Sequence, residues 1–511
     1  MDATERADID PVEAVEAQRL RLVPVLDGQG QAIRGQYFTP SSIARFMASL
    51  FGPRNTTCLR LLDPGAGIGS LSASWVEAVS TWPSPPQDID ITAYEIDRSL
   101  VPYLEETLED CSKACERAGI VCRYHVRTVD FVEHGVAMLR GGSFAPEPER
   151  HDCVILNPPY FKIHSGSRTR LLLRSISIET SNIYTAFLAL SARLLCQGGE
   201  MVAITPRSYC NGSYFRPFRE AFLGAMAPRR FHTFDTRDQA FRDDGVLQET
   251  VIMHAVKEDQ RPDKVLVSST VGTDFATVRL HETAYARTVH PGDRHHVIHL
   301  IEDQSGGEVA ERMDTVGTTL SDLGLTVSTG RVVDFRARHA LRADPDPGAV
   351  PLIWAEHLAA GSVVWPLPEG RKPQAFAVTD DVADQVVPPG TYVLVKRFSS
   401  KEQRRRITAA VYDPRRVAPT GVAFENHLNY YHCNGAGLPA PLSRGLAAYL
   451  NSTSVDLHFR QWSGHTQVNA SDLRKLRYPA QEALEDLGRC IGDTMPPQDE
   501  LDALVLDRVF T

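Results

Sequence analysis

The sequence predicts an α/β protein: a doubly wound, Rossmann-like parallel sheet over residues 1–260 and an α+β module in the C-terminal half. Three observations predict it. Strand-like runs occur at residues 59–62, 89–94, 122–129 and 153–156, and the last, Cys153-Val154-Ile155-Leu156, is apolar without alternation, as central parallel strands are. Each run ends in a glycine or a polar group, and in doubly wound sheets ligands bind outside the carboxyl ends of the strands. Beyond residue 317 the pattern changes to short alternating strands separated by turns.

The first run leads into Asp63-Pro64-Gly65-Ala66-Gly67-Ile68-Gly69 and then a helical pattern through Trp75 to Val79. Glycines at alternate positions allow positive φ and let the backbone approach a ligand closely, with helix N–H groups at its edge. A glycine triplet alone is equally compatible with an ordinary tight turn. The second run ends in Glu95-Ile96-Asp97, where the fold places a carboxylate on ribose hydroxyls. The third ends in Asp130-Phe131, a carboxylate able to accept from an adenine amino group beside a ring that can pack on it.

The fourth run ends in Asn157-Pro158-Pro159-Tyr160. Two prolines fix φ and remove N–H donors, so the Asn157 side chain and the Pro158 carbonyl form a rigid acceptor pair suited to one amine. Tyr160 offers a flat face for a heterocycle taken out of its stack. Read in isolation, these four residues are also compatible with a strand-ending turn.

Together, residues 63–71, 95–97, 130–131 and 157–160 resemble the S-adenosylmethionine-dependent DNA adenine-N6 methyltransferases of restriction–modification systems. Gly35-Gln36-Tyr37-Phe38-Thr39-Pro40, followed by the helix pattern at 43–47, resembles the cofactor segment that the gamma class carries ahead of its glycine-rich turn. Residues 182–187 and 198–206 are similar to the helix and strand after the catalytic motif. The family's turn often reads Asp-Pro-Ala-Cys-Gly; the Asp63-Pro64-Gly65-Ala66-Gly67 of this chain keeps small residues.

The resemblance implies S-adenosylmethionine contacts from Thr39, Asp63, Gly65, Gly67, Gly69, Glu95, Ile96, Asp130, Phe131 and Asn157. It implies catalysis by Asn157, Pro158 and Tyr160, with the flipped adenine also packed on Phe241. Without the resemblance Phe241 reads first as a core residue, because aromatics near strand starts are mostly interior. The expected partner is double-stranded DNA carrying a short recognition sequence, and the expected setting is a bacterial or archaeal cytoplasm.

The domain reading places the methyltransferase at 1–260, a polar linker at 261–316, a DNA target-recognition domain at 317–480 and an acidic, helical tail at 481–511. Residues 320–323, 350–354, 446–452 and 464–469 carry a looser resemblance to the recognition domain of the same enzymes. Residues 396–416 hold eight basic and two acidic side chains. Lys396, Arg397, Arg404, Arg405 and Arg406 are the candidate DNA contacts, with Phe398, Tyr412, Tyr430 and Tyr431 interleaved as on nucleic-acid surfaces. A charge run also fits a solvated face. The net charge of −10 does not oppose a DNA partner, because residues 481–511 hold eight acids against two arginines, far from a local basic cleft on the scale of an ~8 Å Debye length.

Nine cysteines without a Cys-x-x-Cys pair, and histidines without ligand spacing, predict no metal site. The acidic amino terminus does not read as a signal peptide, and no apolar run is long enough to span a bilayer. No lysine has Asp or Glu two residues before it, so any cognate restriction endonuclease is expected on a separate chain. Two other classes share parts of this pattern. Release-factor glutamine N5-methyltransferases also carry Asn-Pro-Pro-Tyr but lack a large C-terminal domain, and an inactive specificity protein would need no cofactor turn.

Overall fold

The computed structural model describes residues 10–24, 37–141, 149–235, 249–399, 402–464 and 466–510. The chain divides into two compact units, Met1–Asp303 and Gln304–Thr511.

The first unit is built on strands β1 (Cys58–Pro64), β2 (Asp88–Tyr94), β3 (Val121–Arg127), β4 (His151–Leu156), β5 (Leu195–Pro206), β6 (Met226–Phe234), β7 (Thr250–Lys257), β8 (Lys264–Thr270) and β9 (Arg279–Ala284). They form one sheet in the order β3-β2-β1-β4-β5-β7-β6-β8-β9. β3, β2, β1, β4 and β5 are mutually parallel, and β7 is antiparallel to both its neighbours. Successive residues of the central strands serve opposite cores: Cys153 and Ile155 pack in one, Val154 and Leu156 in the other. With both faces covered, the strands need no polar alternation, which is why their sequences read as apolar runs.

The expected linker at 261–316 is not one. Residues 264–284 supply β8 and β9, and the first unit runs to Asp303. Polar composition misled there because the polar side chains are buried in hydrogen bonds: His232 on β6 holds Ser268 Oγ at 2.9 Å and Thr270 Oγ1 at 3.2 Å. Val265 and Val267, fully buried, supply the apolar half of the alternation. Within 296–300, Ile298 makes only an isolated bridge with Val289.

The second unit holds β10 (Thr326–Thr329), β11 (Leu341–Arg342), β12 (Ala349–Ile353), β13 (Leu358–Ala359), β14 (Ser362–Val363), β15 (Ala375–Ala377), β16 (Val386–Val387), β17 (Tyr392–Lys396), β18 (Ala409–Tyr412), β19 (Val422–Phe424) and β20 (Leu428–His432). A six-stranded sheet runs β10-β20-β17-β18-β14-β13, and a five-stranded sheet runs β11-β15-β12-β19-β16. Helices Ala440–Leu450, Thr453–Trp462, Gln481–Ile491 and Gln498–Val509 complete it.

Residues 481–511 are helical, as expected, but they are no appendage. Leu484, Leu487 and Gly488 of the helix Gln481–Ile491 are buried, and its backbone lies directly on the helix Ala440–Leu450. Glu482, Glu485 and Asp486 lie on that amphipathic helix away from its buried leucines. The expectation that the acidic segment is remote from the basic run does not hold, since Asp493 pairs with Arg416 at 3.5 Å. Among the described residues no helix is long and apolar enough to cross a membrane.

Candidate active site

Strand order in the first unit reverses between β1 and β4, and the crevice this creates holds a cavity of about 590 Å³. Gly65, Gly67, Glu95, Ile96, Asp130, Phe131 and Asn157 line it, as expected from the sequence. Tyr37, Phe38, Arg98 and Phe161 line it too, and sequence reasoning assigned them no role. Two of these are the aromatics just before Thr39, and Phe161 directly follows Tyr160. A signal was therefore present in the aromatics flanking both motifs.

The turn is held from below. Gly65 N–H and Ala66 N–H donate to the Tyr94 carbonyl at 2.9 and 2.8 Å, tying β1 to the end of β2. Glu95 accepts from Gly67 N–H at 2.9 Å and from Asp97 N–H at 2.6 Å. One carboxylate thus shapes the turn and lines the cavity at once. Gly65, Gly67 and Gly69 all have positive φ.

Three expected cofactor residues do not line the cavity. Asp63 is fully buried behind the turn, where Ser72 Oγ donates to its Oδ2 at 2.7 Å. Gly69 faces the helix Val101–Arg117: a Cβ there would lie 2.9 Å from Thr107 Cγ2. Its small size serves helix packing and a left-handed backbone rather than ligand approach. Thr39 is buried and bonded to Asn157. Burial pushes the Asp63 carboxyl up to about 7, with Glu95 as a like-charged neighbour adding to the rise. Burial also raises Glu95 to about 7, against the hydrogen bonds from Asp97 and Gly67.

Asn157 is fixed at both ends. Its Nδ2 donates to the Tyr37 carbonyl at 2.9 Å and to Thr39 Oγ1 at 3.1 Å. A carbonyl oxygen can only accept, so the nitrogen must face Tyr37 and the oxygen must face away. Tyr160 Oη donates to that oxygen at 2.6 Å and lies 3.2 Å from the Ile204 carbonyl. The Tyr160 ring sits 5.7 Å from Tyr37 and, edge-on, 6.2 Å from Tyr184. Among the described residues no donor is bonded to the Pro158 carbonyl. Asp130 caps the helix Phe131–Arg140 through Oδ1, which accepts from Glu133 N–H at 2.9 Å. Phe241 lies outside the described residues.

The basic cluster of the second unit is only partly available. Arg406 is buried, donates to Ser463 Oγ at 3.2 Å and sits over the Phe459 ring, so it is a packing residue rather than a surface cation. Arg405 is half-buried and donates to the Asn451 carbonyl. Arg397 is held by the Asn426 carbonyl and Gln467 Oε1. Arg404 is exposed and Lys396 partly so. Tyr412, Tyr430 and Tyr431 are core residues, because β18 and β20 are interior strands of the six-stranded sheet. Phe398 alone of the interleaved aromatics is exposed, and Lys401 lies outside the described residues.

A doubly wound sheet whose switch point carries a glycine turn, a strand-end carboxylate and an anchored amide, joined to a mixed α+β unit, defines a Rossmann-like methyltransferase. Residues 105–241 match the Eco57I restriction-modification methylase family. The chain is 39% identical to the type II methyltransferase M.PstI of Providencia stuartii over 92% of each chain, and 40% identical to M.BsuBI of Bacillus subtilis over 94% of each. It belongs with them to the type II DNA methyltransferases of restriction–modification systems. The structure of the type IIL restriction-modification enzyme MmeI in complex with DNA, 12% identical, shares the fold over 99% of this chain and 77% of that one, with a TM-score of 0.55.

Proposed function

We propose that the protein transfers a methyl group from S-adenosylmethionine to N6 of an adenine flipped out of duplex DNA at a short recognition sequence. The observation that carries this reading is the anchored Asn157 amide on the cavity wall, with the buried Pro158 carbonyl next to it in the chain and, like Tyr160, behind the cavity lining. Asn157 Oδ1 meets only a tyrosine hydroxyl, and the Pro158 carbonyl meets no donor among the described residues. An exocyclic amine has two protons to give to them.

The cavity suits the cofactor in size and chemistry. About 590 Å³ falls within the usual range for small-molecule sites, and backbone glycines, a strand-end acid and aromatic rings line it. Asp130 would take the adenine amino group through the carboxylate oxygen not used as a helix cap, and Glu95 the ribose hydroxyls through its remaining lone pairs. S-adenosylmethionine supplies an electrophilic methyl group when bound.

The chain's own residues do the rest. Two acceptors on one amine draw its lone pair out of ring conjugation and aim it. Asn157 Oδ1 has two lone pairs, so it can keep Tyr160 and take the amine as well. Tyr160 and Phe241 are the proposed surfaces for the extruded ring. No general base is needed, because the nitrogen becomes strongly acidic once alkylated; positioning and fixed dipoles supply the rate. The second unit is proposed as the target-recognition domain, a cognate endonuclease as a separate protein, and the cytoplasm as the setting. A release-factor substrate is disfavoured by relatives of nearly equal length that are type II restriction–modification methyltransferases.

Base-resolved sequencing of DNA incubated with the protein and S-adenosylmethionine tests the reading. N6-methyladenine at one position of one short sequence is the expected result. Methylcytosine, or labelled protein with unlabelled DNA, would sink it.

Cofactor affinity is expected to depend on pH. Asp63 and Glu95 both titrate near 7 in the folded chain, above their unfolded values. Folding therefore favours their protonated forms, and the stability they contribute is present in acid and lost as pH rises toward and through 7. A sulfonium cation favours the ionised carboxylates, so binding should strengthen about tenfold between pH 6 and pH 8, with proton release. Calorimetry at both pH values checks this, and S-adenosylhomocysteine, which lacks the sulfonium charge but keeps the ribose, should retain only the part of the dependence that Glu95 owes to the ribose hydroxyls.

A further inference from the structure

We propose that His427, seated on Phe398 and held by Glu425, reads a base edge of the recognition sequence. The inference rests on the second unit being the part that recognises DNA.

His427 lies in the turn between β19 and β20. Its ring is 4.8 Å from that of Phe398, tilted by 54°, and both side chains are nearly half exposed. The pair presents an aromatic ring and an imidazole together at the surface.

Beneath the imidazole lies Glu425, whose side chain is fully buried. Its Oε1 is 2.5 Å from His427 Nδ1, and its Oε2 accepts from His427 N–H at 2.9 Å. Side chain and main chain of one residue are thus gripped by a single carboxylate. Burying that carboxylate costs free energy, which makes a purely space-filling role a poor explanation. With the Glu425 carboxylate beside Nδ1 as an ion-pair contact, Nε2 is the ring nitrogen left for a ligand.

The turn itself is rigid. Asn426 N–H donates to the Val332 carbonyl at 2.9 Å, and Arg397 N–H donates to the His427 carbonyl at 2.9 Å. A Cβ on Gly330 would lie 2.1 Å from the Glu425 carbonyl oxygen, so the neighbouring segment approaches as closely as a backbone can. The arginine of Arg397 bridges the Asn426 carbonyl and Gln467 Oε1. Lys396 and Arg404 flank the stack in sequence with side chains suited to phosphates. Cations that position a duplex around one rigid hydrogen-bonding group are the arrangement that separates backbone contact from base readout. A ring fixed in place discriminates between bases; a mobile one does not.

The test measures kcat/KM for methylation of the cognate duplex and of every duplex differing from it by one base pair, for wild type, His427→Ala, His427→Gln and Glu425→Gln. His427→Ala is expected to lower the cognate-to-variant ratio by about 10- to 100-fold at one base-pair position only. Glu425→Gln, acting as a positioning change, should lower the ratio at that same position. An equal loss across all duplexes, or an unchanged ratio, would overturn the proposal. Because His427 is at the surface, its two variants should fold, and their melting temperatures report whether they do. Lys396→Ala combined with Arg404→Ala tests the underlying reading separately. Loss of affinity for all sequences with a weaker salt dependence supports it, and no change in either would overturn both.

Discussion

Asn157→Ala is expected to lower the rate of methyl transfer to DNA by about 1,000-fold, the scale seen when one preorganised polar group is removed from an active site. Binding of S-adenosylmethionine should stay measurable by calorimetry, because Gly65, Gly67, Glu95 and Asp130 line the cavity independently. Asn157→Asp is the sharper variant. It retains an acceptor, but a carboxylate cannot donate to the Tyr37 carbonyl or to Thr39 Oγ1, and it would face one carbonyl with negative charge. It should therefore be impaired nearly as severely as the alanine variant. If Asn157→Asp retained more than about a tenth of the wild-type rate, anchoring of the amide would not be what aims its oxygen.

The geometry at Asn157 marks a limit of sequence reading. That strand 153–156 would end at a functional tip followed from its unbroken apolar run, and the two prolines announced a fixed backbone. Which way the amide points did not follow, because its orientation is set by Tyr37 and Thr39, more than a hundred residues earlier. The same holds for the carboxylates. Asp63 and Glu95 look alike in the sequence, each at a strand end. The fold buries Asp63 behind the turn and leaves Glu95 on the cavity, a difference set by depth along the strands, since Asp63 lies within β1 and Glu95 just beyond the end of β2.

In the second unit, charge counting could find the surface but not its members. Arg404, Arg405 and Arg406 are consecutive, yet they range from exposed to fully buried as the loop passes over the helix Thr453–Trp462. Asp456 of that helix draws the loop in by accepting from Arg406 N–H at 2.6 Å and Ile407 N–H at 3.1 Å. A contact between residues fifty apart decides which arginine meets solvent. Polar composition failed likewise at 264–270, where serine and threonine are interior because a buried histidine satisfies them. Periodicity, which depends only on neighbours in the chain, survived where composition did not.

Gly445→Ala is expected to destabilise the second unit by about 3 kcal/mol or more, the upper range for overpacking a well-filled interior. For a domain of this size that corresponds to a fall in melting temperature of roughly 6–12 °C. A Cβ on Gly445 would lie 1.7 Å from the Leu484 carbonyl oxygen, and one on Gly488 would lie 1.8 Å from the Pro441 carbonyl oxygen. The obstacle in each case is backbone, which cannot rotate aside as a side chain would. The two glycines therefore permit the helices Ala440–Leu450 and Gln481–Ile491 to meet main chain to main chain, with Leu446, Leu484 and Leu487 filling the interior around the contact. Alanine at either position must push the helices apart and open space around those leucines. Gly317→Ala is the matched control, since a Cβ there meets nothing within 4 Å. Its melting temperature should stay within about 2 °C of wild type, as for a surface change away from packing contacts. Were Gly445→Ala to melt with the control, the close approach of these helices would be refuted, and the acidic segment from 481 onward would again be the loosely attached tail that its composition suggests.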